Sequence, residues 1–124
     1  MALIDEIGGE DKVRELVEAF YNEIETKKHG AKLLILHQEG HGLLHARLEQ
    51  FNFLCGFLGG RQHYLEKHHH MNLKLMHEHL ELTHEHGEAW LLCMKIALEK
   101  VGVEDNTAKK MLTAFERVTD VLTK

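Results

Sequence analysis

Leu73-Lys-Leu-Met76-His77-Glu-His-Leu80, followed ten residues later by Trp90-Leu-Leu-Cys93-Met94, is the stretch whose reading decides the fold. On a helix Leu73, Met76, His77 and Leu80 fall at i, i+3, i+4 and i+7, which sets His77 inside an apolar stripe. A histidine so placed is either a core residue satisfied by a backbone carbonyl or a metal ligand held in an apolar slot. The flanking sequence bears on the choice.

Towards the carboxyl end, Leu82-Thr-His-Glu-His-Gly87 reads as a break. The next helix carries Trp90, Leu91, Met94, Ala97, Leu98 and Val101 at helical spacing and ends at Gly102. Asp105, Asn106 or Thr107 offers an N-cap for a last helix that buries Ala108, Met111, Leu112, Phe115, Val118 and Leu122.

Towards the amino end, residues 61–70 read as a polar connection, of a length more often functional than idle. Gly59-Gly60 before it stops a helix running from about Leu43 to Leu58. That helix has a broad apolar arc, with Leu44, Leu48, Phe51, Cys55 and Leu58 on one line and Leu43, Ala46, Phe53 and Phe57 near another. An arc so wide implies packing on two sides, and Gln50 is its polar exception, either capped by the protein or facing a ligand. From Lys27 to Gly42 the pattern weakens to a loop with one or two helical turns. His37, His41 and His45 recur there every four residues, although two glycines interrupt them. The clearest stripe in the chain is Val13, Leu16, Val17, Phe20, Tyr21 and Ile24, which puts Tyr21 on the buried side. Residues 3–8 make one short helical turn ended by Gly8-Gly9.

Composition agrees with an all-α chain: of 124 residues none is proline, 44% are hydrophobic and 28% charged. A single domain over residues 1–124 is expected, removing roughly 65% of its unfolded surface from water. The net charge of −5 and the lack of a clustered basic footprint argue against nucleic acid. No run approaches the ~18 apolar residues of a membrane span, and the amino terminus is unlike a secretory signal, so a cytoplasmic protein is expected. Cys55 and Cys93 sit in apolar helical stretches and read as buried free thiols. There is no CxxCH, which excludes covalent haem attachment of that type. Histidine is the outlier, with 12 residues, three of them the internal run His68-His69-His70.

Phe53-Leu-Cys-Gly-Phe-Leu-Gly-Gly60, Tyr64, the His77 segment thirteen residues before Trp90, the Trp90-Leu-Leu-Cys-Met94 run and the pair Phe20-Tyr21 together resemble the truncated haemoglobins, specifically their second group. The resemblance covers nearly the whole chain. It implies a shortened globin fold, a two-over-two helical sandwich around one non-covalent haem b. By that likeness His77 is the proximal iron ligand, Tyr21 and Trp90 are distal hydrogen-bond donors, and Ala46 and Gln50 face bound gas. His37 matches the bend before the distal helix. Phe53, Leu54, Leu73, Met76, Leu80, Leu82 and Met94 line the haem.

The sequence also departs from the family pattern. Arg61 stands where the family usually has proline after Gly-Gly, His69-His70-Met71 replaces Gly-His-Pro, Met76 replaces the common arginine, and His79-Leu80 replaces Pro-Phe. With these residues replaced, haem-propionate pairing falls to substitutes, for which Lys74, Arg61 and His70 are the candidates.

A ligand opposite His77 that draws negative charge would be stabilised by preorganised donors. An indole N–H and a phenol contributing roughly 1.5–3 kcal/mol each slow ligand release about 10- to 100-fold per donor. Such a site suits ligand sensing, storage or redox chemistry on O2, NO or peroxide, with CO as a further ligand, better than bulk delivery. NO dioxygenase-like or peroxidase-like activity would need a reductase, and the chain is expected to be a monomer or weak homodimer. The competing reading is a histidine-rich, haem-free binder of divalent metals using His77, His79, His84, His86, the triple histidine and the 37/41/45 ladder.

Overall fold

The structure is a computed structural model in which residues 2–39, 42–72 and 82–123 are described. Leu73, Lys74, Met76, His77, His79 and Leu80, and likewise His41, lie outside the described residues. Seven α-helices are described: α1 (Leu3–Ile7), α2 (Glu10–Thr26), α3 (Ala31–Glu39), α4 (Leu43–Phe57), α5 (His63–His68), α6 (His84–Lys100) and α7 (Asp105–Leu122). A single 3-10 turn, Lys28–Gly30, joins α2 to α3.

The stripe on α2 is the axis of the packing. Val13, Leu16, Val17, Phe20, Tyr21 and Ile24 are all at most 3% exposed, and each fully buried large side chain contributes about 1.5–3 kcal/mol. Through this face α2 packs on α4 and on α6, and α6 packs on α7, which gives two helix pairs. Short α1 lies against α2 and α7 and is pinned where the Ile4 amide donates to the Leu58 carbonyl at 2.9 Å. Both cysteines are free and buried, as the apolar spacing implies.

Several local expectations are corrected. The connection 61–70 holds α5, which packs on α4 and buries Tyr64. Leu82–Gly87 is a break only at its start: the Thr83 hydroxyl accepts from the His86 amide while the His86 ring accepts from the Thr83 amide. That capping box starts α6 at His84 and carries the helix through Gly87. In place of the expected loop with one or two helical turns, residues 28–39 are helical throughout, a 3-10 turn followed by the nine-residue α3. The last helix is entered from Glu104, which makes no side-chain cap. Thr107, one of the expected caps, is instead buried, its hydroxyl 3.4 Å from the Glu6 and Glu104 carboxylates.

The line drawn along α4 also divides. Phe51, Cys55 and Leu58 are buried, whereas Leu44 is 85% and Leu48 52% exposed. The broad arc offers more apolar surface than its neighbours cover. Among the described residues no helix is long and apolar enough to cross a membrane.

Candidate functional site

Aromatic contacts between α2 and α6 build the site. The Phe20 ring, fully buried, meets the Tyr21 ring edge-on at 5.0 Å and the Trp90 ring at 5.1 Å. Phe115 of α7 meets the same indole edge-on at 5.1 Å. The two expected donors therefore share one aromatic support, although 69 positions of chain separate them (90 − 21). Such edge contacts add about 0.5–1.5 kcal/mol each beyond burial and fix the rings.

Tyr21 is 3% exposed, and its hydroxyl donates to the Ala46 carbonyl over 3.4 Å. That separation is long for an O–H···O bond, whose usual length is about 2.7–2.8 Å. Burial pushes the phenol well above its ordinary pKa, against a smaller opposing pull from Arg47, so the proton stays on the oxygen. Arg47 also lies 5.5 Å from the centre of the Tyr21 ring and is held by Glu18 at 2.8 Å and Glu25 at 2.6 Å.

His37 comes to the same place. It sits in the last turn of α3 and meets the Tyr21 ring edge-on at 5.5 Å, with Nδ1 2.7 Å from the Leu33 carbonyl. The 37/41/45 ladder does not exist as one helical face. Gly42, at φ 87°, opens α4 as a new helix, so His37 and His45 belong to different elements.

On α4, Ala46 and Gln50 are half-buried and one turn apart on the same face. Among the described residues no side-chain partner is bonded to the Gln50 carboxamide or to the Trp90 indole N–H. Leu54 and Met94 are fully buried, Phe53 is nearly so, and Leu82 is half-buried. The expected lining residues that are described thus combine buried apolar side chains with a phenol on a long bond and two side chains that have no bonded partner among the described residues. That donor set fits a flat apolar group carrying a small polar ligand, which is what haem demands.

Other expectations fare differently. Arg61 is exposed and forked on Glu66, both contacts at 3.2 Å, so it is already engaged. His70 accepts from the Asn72 amide at 3.1 Å and stands beside Tyr64 and His68. An apolar groove of about 530 Å³ opens between α4 and the end of α7, lined by Phe53, Phe57, Met71, Val118 and Leu122. Among the described residues it shares Phe53 with the expected haem lining.

Among the described residues the nominated histidines form no metal-competent group. His86 caps α6, and His68 and Lys67 both bond to Glu49. Among the described residues the single metal-competent group is Glu10, Cys55 and His63, with ligating atoms within 4.8 Å of one another. The sequence reading missed His63, because its partners lie 53 positions (63 − 10) and 8 positions (63 − 55) away in no recognisable spacing.

Comparison with known proteins matches this architecture. A family model described as bacterial-like globin matches residues 2–124. The curated group 2 truncated haemoglobin YjbI of Bacillus subtilis is 34% identical over 96 residues, covering 77% of this chain and 69% of that protein. Among solved structures, the group II 2-on-2 haemoglobin of the plant pathogen Agrobacterium tumefaciens superposes with a TM-score of 0.92 at 26% identity, covering 100% of this chain and 95% of that one. The truncated oxygen-avid haemoglobin of Bacillus subtilis gives 0.85 at 27% identity, with both chains covered completely. With its helix pairs in the 2-on-2 arrangement, the chain belongs to the bacterial-like globin family, among the group II truncated haemoglobins.

Proposed function

We propose that residues 1–124 form one domain that holds haem b non-covalently, with His77 as the iron ligand, and binds O2, NO, CO or peroxide. Membership of the globin family supports haem-based binding of small diatomic ligands. Haem supplies an iron centre to which such a ligand binds and from which it draws negative charge. The chain's own residues do the rest. Trp90 can only donate, and Tyr21 keeps its proton through burial, so both meet developing negative charge as donors. Phe53, Leu54 and Met94 exclude water from the wall, and Ala46 leaves room beside Gln50. Leu73, Met76, Leu80 and Leu82 complete the lining in this proposal, and Lys74 pairs with a propionate.

The observation that carries the reading is the shared support of Tyr21 and Trp90 on Phe20. Two donors on one rigid ring favour slow release over delivery, in keeping with the 27% identical Bacillus subtilis haemoglobin described as oxygen-avid. Redox or detoxifying chemistry on NO or peroxide, fed by a reductase, follows from that retention.

The test is an absorption spectrum of the purified protein. A strong Soret band, lost in His77→Ala and kept in His84→Ala, is the expected result. Colourless protein that cannot be reconstituted with haem overturns the proposal.

A further inference from the structure

Where the start of α2, the end of α4 and the start of α5 meet, three side chains of ligating chemistry converge away from the Tyr21–Trp90 wall. Glu10 is the first residue of α2 and His63 the first of α5. The His63 Nε2 and a Glu10 carboxylate oxygen are 2.9 Å apart. Beneath them lies the thiol of Cys55, 0% exposed, with every ligating atom of the three within 4.8 Å of the others. We propose that Glu10, Cys55 and His63 form a second metal site, separate from haem, for one zinc-type divalent cation whose fourth ligand is water.

The donor set selects the ion. A thiolate, an imidazole and a carboxylate suit zinc, a borderline-soft cation taking four tetrahedral ligands, and do not suit magnesium or calcium. At metal–ligand bonds of about 2.0–2.3 Å, ligand atoms around zinc stand ~3.3–3.7 Å apart. The ligating atoms, with His63 and Glu10 at 2.9 Å and all within 4.8 Å of one another, straddle that spacing, so a small adjustment reaches it. The side chains of Glu10 and His63, 43% and 23% exposed, can make it while Cys55 stays in place. The Phe51 ring, stacked on His63 at 6.0 Å with planes 27° apart, holds the imidazole as it moves.

Electrostatics make the site proton-dependent. Burial and the Glu10 charge keep Cys55 a neutral thiol without metal, against a smaller pull from Arg14. Arg14 lies over the Phe51 ring at 4.3 Å, and Arg61, near enough to feel Glu10, is forked on Glu66, which in turn feels His63. Zinc binding breaks the S–H bond of Cys55, forms a Zn–S bond and releases one proton to solvent.

The experiment equilibrates haem-loaded protein with zinc against a chelator of known affinity, measures iron and zinc separately, and records zinc X-ray absorption. The expected result is one tight zinc per chain with a single sulfur neighbour at about 2.3 Å. Cys55→Ala removes the sulfur neighbour, Glu10→Gln and His63→Gln weaken binding at least ten-fold, and Cys93→Ala and His84→Ala change neither. If Cys55→Ala does not fold, Glu10→Gln and His63→Gln decide the matter. Absence of tight zinc, zinc with nitrogen and oxygen neighbours only, or affinity unchanged in Glu10→Gln overturns the proposal, whatever the Soret band does.

Discussion

The hydroxyl of Tyr21 donates to the carbonyl of Ala46 over 3.4 Å, joining α2 to the start of α4. A bond this long contributes little, so the hydroxyl can turn to a better acceptor at small cost. Tyr21→Phe is expected to change stability by less than about 1 kcal/mol while speeding O2 release about ten-fold. Stopped-flow displacement of O2 by CO, beside thermal unfolding, checks both numbers.

Trp90 offers a donor with no competing partner among the described residues. Trp90→Leu is expected to raise the O2 release rate about 10- to 100-fold. The same change removes the ring contacts to Phe20 and Phe115, at 5.1 Å each, so unfolding should also ease by about 1–3 kcal/mol. An unchanged release rate would remove Trp90 from the ligand's surroundings.

Glu23 is 2% exposed and accepts from Lys100 of α6 and from His29 of the 3-10 turn, the latter at 2.9 Å. The Lys100 hydrogen bond, with help from His29, outweighs burial and holds the carboxyl below its ordinary value. A lowered folded pKa means the contribution is present above the unfolded value, about 4.3, and disappears as pH falls through the folded one. Glu23→Gln should cost about 1–3 kcal/mol at pH 7, and the penalty should shrink below about pH 4. Denaturant midpoints of both proteins across that range provide the check.

Gly30 sits where the 3-10 turn crosses the end of α2. A Cβ there would lie 2.5 Å from Ile24 Cα and 2.9 Å from the Glu23 carbonyl, both backbone atoms. Neither can rotate away, so Gly30→Ala should destabilise by about 1–3 kcal/mol. A melting temperature unchanged from the parent would mean the turn can move off α2.

Burial pushes the thiols of Cys55 and Cys93 up to about 11, which leaves about one thiolate in a thousand at pH 8. Native protein should react with a disulfide reagent far more slowly than unfolded protein, with both thiols appearing together on denaturation. Rapid native labelling of either thiol would contradict its placement in the core.

Residues that act along one helix were legible. The α2 stripe, the buried cysteines and the apolar run through Met94, Ala97 and Leu98 all follow from spacings of three and four, and all are buried. The family was legible as well, because its motifs are short and lie in order. Less legible were α5 and the start of α6, where histidines and glycine gave loop signals. There Tyr64 buries against α4, and the Thr83–His86 reciprocal bonds supply what propensity lacks.

By itself, then, the sequence determined the helical class, the faces that go inward and the globin kinship, since proline content and three-to-four spacing act over one or two turns. Tertiary structure alone decided that His37 and Tyr21 meet, that Arg61 is committed to Glu66, and that Glu10, Cys55 and His63 share one corner. Those relationships depend on the angle and offset at which whole helices pack. Packing geometry is set by the summed fit of many side chains, and no local pattern of residues carries it.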